Sequence, residues 1–167
     1  MEMSTDNNNT IPVNPDVILI DSTTSRFSSA IWYEKIQDIV VTLAGVGGIG
    51  SNVAYLLARM HPKSMFIYDP DTVELVNMSG QMYSTDDVSS YKVDAISHTM
   101  SKFCNYRSAF AINKEFTEEC EASDIMICGF DNMKARRVFF NKWLELVKNK
   151  PAEMRKDCLF IDGRIKC

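Results

Sequence analysis

The sequence predicts an α/β fold with a doubly wound, mostly parallel sheet and helices on both faces. Three observations carry this. Short β-branched apolar runs alternate with segments of helical period; a glycine-rich turn follows the first run; and the second run ends in aspartate. Strand, glycine turn, helix and strand make one βαβ unit, the opening of a Rossmann-like nucleotide-binding architecture.

The elements follow in order. The first dozen residues are polar, Asn-rich and aperiodic, so residues 1–14 read as a disordered tail. Ser25 or Ser28 is expected to cap a helix bearing Ile31, Trp32 and Ile36 and ending near Asp38. Residues 39–44 read as a buried strand. A helix with Val53, Leu56, Leu57 and Met60 on its apolar face comes next, stopped by His61-Pro62. Met65 to Tyr68 form a strand ending at Asp69. Lys92 to Cys104 is a helix with Val93, Ile96, Met100 and Phe103 on one face, and Ala109 to Ile112 a strand. Ser123 to Cys128 is a further strand, Met133 to Lys148 a helix and Cys158 to Ile161 a last strand. No repeat or linker interrupts residues 15–167, which are expected to form one domain.

Composition excludes several function classes. The 167 residues are 46% hydrophobic and 24% charged, ordinary for a soluble globular chain. Net charge is −4 and no dense Lys/Arg cluster appears, so nucleic acid is not the expected partner. Apolar runs such as Val17 to Ile20 are too short to cross a membrane. The five cysteines, at 104, 120, 128, 158 and 167, form no CxxC pair and are odd in number, so they read as reduced thiols of a cytoplasmic protein rather than a disulfide framework or zinc site.

Gly45, Gly47 and Gly50 satisfy GxGxxG, with Gly48 as an extra glycine. Gly45 permits a tight exit from the strand, Gly47 and Gly48 admit phosphate oxygens to backbone N–H groups, and Gly50 lets the helix approach the sheet. Asp69, about 20 residues further on, stands where a carboxylate accepts hydrogen bonds from ribose hydroxyls. A tight turn with no ligand is the alternative.

GVGGIGS (45 to 51), DPDTVELVNMSGQMY (69 to 83), DVSSYK (87 to 92) and DNMKAR (131 to 136) together resemble the ThiF/MoeB/HesA-like adenylyltransferases, whose relatives activate ubiquitin and ubiquitin-like proteins. The resemblance spans roughly Ile39 to Arg164. It implies that Asp69, with Asp71 beside it, holds the ATP ribose, that Asn77, Gln81 and Lys92 contact the triphosphate, and that Asp131 binds Mg²⁺. These residue types suit those tasks: a lysine ammonium is a compact charge for phosphate, amides donate without adding negative charge, and a carboxylate is a hard Mg²⁺ ligand. Each residue also has a structural alternative, Asn77 and Gln81 in a polar loop, Lys92 as a solvated helix start, and Asp131-Asn132 as an N-cap.

Three features depart from the family pattern. Gly80 stands where an arginine usually precedes the glutamine. Arg26 resembles the family's N-terminal arginine, contributed from a neighbouring subunit, but stands alone. The chain ends at Cys167, before the family's crossover loop, as a fragment or a shortened member; Cys167 is a candidate thiol acceptor or an incidental cysteine.

The resemblance implies adenylation of the C-terminal carboxylate of a ubiquitin-like or sulfur-carrier protein, by a homodimer or with a related subunit, with Lys92, Asp131 and Arg26 carrying catalysis. Two other readings stand beside it. An NAD-dependent oxidoreductase accounts for the glycine loop and Asp69 and leaves Asn77, Gln81, Lys92 and Asp131 unexplained. A non-catalytic partner subunit that keeps the nucleotide fold accounts for Gly80.

Overall fold

The computed structural model describes residues 26, 27 and 29–163. The predicted tail over residues 1–14, the capping candidates Ser25 and Ser28, and Cys167 lie outside them. In chain order the elements are α1 (Ile31–Gln37), β1 (Val40–Ala44), α2 (Gly48–Ala58), β2 (Ser64–Tyr68), α3 (Lys92–Cys104), β3 (Ala109–Ile112), β4 (Ile125–Cys128), α4 (Met133–Asn149) and β5 (Leu159–Asp162), with short 3₁₀ turns at Leu75–Ser79, Thr85–Asp87 and Ala152–Asp157.

All strand pairings are parallel and the order is β3-β2-β1-β4-β5. The chain therefore winds outward from β1 to one edge, returns, and winds to the other. The strand order reverses between β1 and β4, and a crevice opens there beyond the carboxyl ends of the strands. β1 is buried along most of its length, as a central strand covered on both faces must be.

Two apolar clusters fill the layers. On one face Val41, Leu43, Ala54, Ala58, Met65, Ile67, Val93, Ile96 and Met100 bring α2 and α3 onto the sheet. On the other, Phe139 of α4 packs edge-on against Phe116 and Phe130, with Tyr68, Met126 and Cys128 around it.

Several element details differ from the sequence reading. The buried stripe of α2 is Gly50, Ser51, Ala54 and Ala58, and Leu56, half a turn from Ala54, is 61% exposed. Small residues line that stripe because the helix lies against the sheet. The helix also ends at Ala58, ahead of His61-Pro62. Met60 N–H donates to the Leu57 carbonyl and His61 N–H to that of Ala58, a three-residue spacing that tightens the last turn. In α3 the apolar face closes on Cys104, and Phe103, one residue off the stripe, is 60% exposed. The fourth strand begins at Ile125, and just ahead of it the Ser123 hydroxyl bonds with the Thr42 hydroxyl at 2.8 Å and donates to the Ile125 carbonyl at 2.7 Å. The N-cap position of α1 is Ala30, which makes no side-chain cap. Of the aromatic residues, Tyr33 is buried, Trp32 is 47% exposed, and Trp143 packs beside the second cluster, its indole N–H donating to the Asp124 carbonyl at 3.1 Å.

One close approach locks the crevice together. Gly45 has φ +86°, and its carbonyl lies against the bare α-carbons of Gly50 and Gly129. A Cβ on Gly50 would stand 1.8 Å from that oxygen and one on Gly129 2.4 Å, whereas a Cβ on Gly47 meets nothing within 4 Å. Gly129→Ala is therefore expected to cost about 1–3 kcal/mol in urea denaturation through overpacking, and Gly47→Ala less than about 0.5 kcal/mol. Equal costs would contradict this contact.

Candidate functional site

The glycine turn leaves β1 with its backbone tied to both neighbouring strand ends. Gly45 N–H donates to the Tyr68 carbonyl at 2.8 Å and Gly129 N–H to the Ala44 carbonyl at 2.8 Å. A cleft of about 730 Å³ opens above, lined among others by Gly45, Gly47, Gly48, Asp69, Asp71, Gln81, Lys92, Phe116, Asp131 and Arg136. Most residues singled out in the sequence thus meet in one cavity. Gly50 packs beneath it.

Asp69 is 6% exposed at the end of β2. Its two oxygens accept from the Val46 N–H at 2.8 Å and the Asp71 N–H at 2.9 Å. Each retains acceptor capacity for a further hydroxyl. Burial pushes the Asp69 pKa above the usual carboxylate range, opposed by the two backbone N–H donors and by Lys92.

Lys92 reaches the cleft because the segment between β2 and α3 folds back on itself. Thr72 and Tyr91 form an antiparallel bridge, and Lys92 N–H donates to the Asp71 carbonyl at 2.9 Å. The Lys92 ammonium lies 3.0 Å from the Asp71 carboxylate, with 10% of the lysine side chain exposed against 64% for the aspartate. Lys92 is therefore a buried, paired cation, and its reading as a solvated helix start is corrected.

Gln81 is carried on a strap formed by residues 80–83. Asn52 Nδ2–H donates to the Gly80 carbonyl at 3.3 Å, Met82 N–H to the Ser51 hydroxyl at 3.0 Å, and the Tyr83 hydroxyl to the Val46 carbonyl at 2.6 Å. The buried carboxamide oxygen of Gln81 has no partner among the described residues. This is an unpaired polar group in the wall of the cleft, the kind of group that a polar ligand satisfies.

Asn77 and Arg26 stand apart from this group. Asn77 closes a capping box, its Oδ1 accepting from the Glu74 N–H at 2.8 Å while the Glu74 side chain accepts from the backbone of Asn77, and it does not line the cleft. Arg26 is an exposed turn residue ahead of α1 and is likewise absent from the cleft wall. Asn132, not Asp131, caps α4, accepting from the N–H groups of Lys134 and Ala135 at 2.9 and 3.3 Å. That leaves Asp131 exposed at the cleft with no capping duty.

Sequence reasoning assigned no role to Ser51, Asn52, Tyr83, Gly129 or Arg136. Arg136 is buried and bonds the Asp162 carboxylate, the Phe130 carbonyl and, at 3.1 Å, the Gly163 carbonyl, so it ties the turn bearing Asp131 to the end of β5. Its place in DNMKAR was the available signal.

No group of three or more His, Cys, Asp or Glu residues able to hold a metal occurs among the described residues. The four cysteines among them are free, and burial raises the thiol pKa of Cys104 and Cys128, which makes both poor nucleophiles. No helix of the described residues is long and apolar enough to cross a membrane.

Comparison with known proteins agrees with the fold and gives the family. The profile of the ThiF family matches residues 20–150. The ubiquitin-like modifier-activating enzyme 5 of Oryza sativa subsp. japonica is 35% identical over 109 residues, covering 62% of this chain and 24% of that protein. The chain thus matches about a quarter of that relative's length. Among solved structures, the E. coli tRNA N6-threonylcarbamoyladenosine dehydratase TcdA in complex with ATP superposes with a TM-score of 0.65 at 17% identity, over 86% of this chain and 60% of that one. E. coli MccB with ATP gives 0.61 at 23%, over 78% and 38%. At these identities the likeness is one of fold.

The Asp69 environment has a pH signature. A carboxyl whose folded pKa is raised contributes stability that is fully present below its unfolded pKa and is lost as pH rises through the folded value. Relative to Asp69→Asn, the wild-type protein should lose stability across that window, and a carboxyl-carbon NMR titration should place Asp69 above the exposed aspartates. An Asp69 midpoint at or below theirs would refute desolvation as the dominant influence.

Proposed function

The chain belongs to the ThiF family, and from that premise we propose that its cleft binds MgATP and adenylates the C-terminal carboxylate of a ubiquitin-like or sulfur-carrier protein. One observation carries the reading: the glycine turn, the buried Asp69, Gln81, Lys92 and Asp131 line a single cleft at the strand-order reversal. Relatives named ubiquitin-like modifier-activating enzymes support the carrier class, and the ATP complexes of structural neighbours support the nucleotide.

Asp69 accepts from the ribose hydroxyls, and the N–H groups at the start of α2 with the Lys92 ammonium and the Gln81 side-chain N–H₂ donate to the phosphates. The cleft residues include Lys92 and Arg136 against Asp69, Asp71, Glu115 and Asp131, too few cations for a triphosphate. Mg²⁺ suits this donor set, since it commonly takes one or two carboxylates and fills its remaining positions with phosphate and water. Asp131 would hold it, and it would neutralise charge on the leaving pyrophosphate. The carrier carboxylate attacks the α-phosphorus, the new C–O–P bond forms as the bond to the β-phosphate oxygen breaks, and pyrophosphate leaves. The nucleophile is already ionised at neutral pH, so catalysis rests on positioning and charge neutralisation. No protein nucleophile is needed.

A partner-subunit role is the second reading, and Gly80 favours it by withholding one cation. The position itself is open, since a Cβ on Gly80 meets nothing within 4 Å. The family resemblance further suggests assembly as a homodimer or with a related subunit.

Radiolabelled pyrophosphate should exchange into ATP when a carrier with a free C-terminal carboxylate is present, and not without one. Binding of MgATP with no exchange would favour the partner-subunit reading, and NAD(H) binding in place of ATP would overturn both.

Charge balance gives a separate expectation, read by titration calorimetry with MgATP. Lys92→Ala and Asp131→Ala should each weaken binding by about tenfold, near 1.4 kcal/mol. Asp131→Ala should leave folding little changed, whereas Lys92→Ala also removes a buried ion-pair partner and should lower stability. Gly80→Arg should tighten it. Three unchanged affinities would sink the site assignment.

A further inference from the structure

Three successive carbonyls of the glycine turn are each held by a side chain. The Tyr83 hydroxyl donates to the Val46 carbonyl at 2.6 Å, the Ser51 hydroxyl to Gly47 at 2.7 Å, and Asn52 Nδ2–H to Gly48 at 2.7 Å. Each of these carbonyls shares a peptide plane with the next residue's N–H. Holding the oxygens of 46, 47 and 48 therefore fixes where the N–H groups of Gly47, Gly48 and Ile49 point. Those three N–H groups donate to no acceptor among the described residues. Ser51 and Asn52 reach back from α2 itself by the ordinary four-residue spacing. Tyr83 differs: it lies 37 residues away and belongs to the strap that carries Gln81.

Resting on the nucleotide-binding reading above, we propose that the Tyr83 hydroxyl is a positioning residue for phosphate, setting and polarising the 46–47 peptide so that the Gly47 N–H is presented to the ligand. Val46 is held from both sides, its N–H by Asp69 at 2.8 Å and its carbonyl by Tyr83. The same residue thereby couples the ribose-side carboxylate to the phosphate-side donor. A hydrogen bond accepted by a peptide oxygen strengthens the N–H of the same peptide as a donor. Tyr83 is suited to this at any working pH. Burial first, and the nearby carboxylates of Asp69, Asp87 and Asp71 after it, hold its pKa above the ordinary phenol value, so it stays a donor. A phenylalanine at this position fills the same space and lacks only the hydroxyl.

The test is Tyr83→Phe, read two ways. In ligand-free ¹H–¹⁵N spectra the Gly47 amide should move upfield while amides of the central strands stay in place. In titrations, affinity for tripolyphosphate and MgATP should fall about three- to tenfold, with adenosine affinity unchanged. A purely structural role would weaken ATP and adenosine alike. That outcome, an unshifted Gly47 amide, or undiminished tripolyphosphate affinity would each overturn the proposal. Failure of the underlying reading looks different: the wild-type protein itself would bind neither tripolyphosphate nor MgATP, and the proposal would fall with it.

Discussion

The site depends on the packing of one carbonyl oxygen, that of Gly45, against the bare α-carbons of Gly50 and Gly129. This contact brings the end of β1, the start of α2 and the end of β4 into a space that side chains would fill. It thereby sets the floor of the cleft at the point where the strand order reverses, and everything above is placed by it. α2 lies close enough to the sheet for its buried stripe to be glycine, serine and alanine. The turn leaving β4 brings Asp131 across from the glycine turn.

Above that floor, polar groups are arranged by long-range hydrogen bonds. Asp69 and Tyr83 hold Val46 from opposite sides, the 80–83 strap is tied to α2 by Ser51 and Asn52, and Arg136 holds the Phe130 carbonyl just ahead of Asp131. Groups so held require little reorganisation when a ligand arrives, which is how a polar site gains electrostatic strength from modest charges. Burial of Asp69 and Lys92 adds to this, since charges away from water interact more strongly.

Much of this was legible in the residues. Alternating apolar runs and helical periods located the strands and the helices that follow them, because a residue's period reports the geometry of its own element. Spacing placed Gly45, Gly50 and Asp69, since the turn geometry that needs them is local. Two helix faces depart from the period. Leu56 and Phe103 are apolar and near the right period, yet the sheet lies on the other side of Leu56 and one position round from Phe103. Asn77 has the residue type of a ligand contact; its side-chain Oδ1 accepts from the Glu74 N–H, and it stands outside the cleft wall.

By itself, then, the sequence determined the order of elements and the identity of the turn residues, consequences of contacts within a few positions along the chain, and the alternation of strand and helix implied the parallel winding. Only the tertiary structure decided which side chains share the cleft. Lys92 is a buried ion-pair partner because residues 69–91 fold back on themselves. Gly129, Tyr83 and Arg136 belong to the site because β4, the strap and β5 converge on the same end of the sheet. Such contacts join residues tens of positions apart, and no local period or propensity encodes which distant groups the folded sheet will bring within hydrogen-bonding distance.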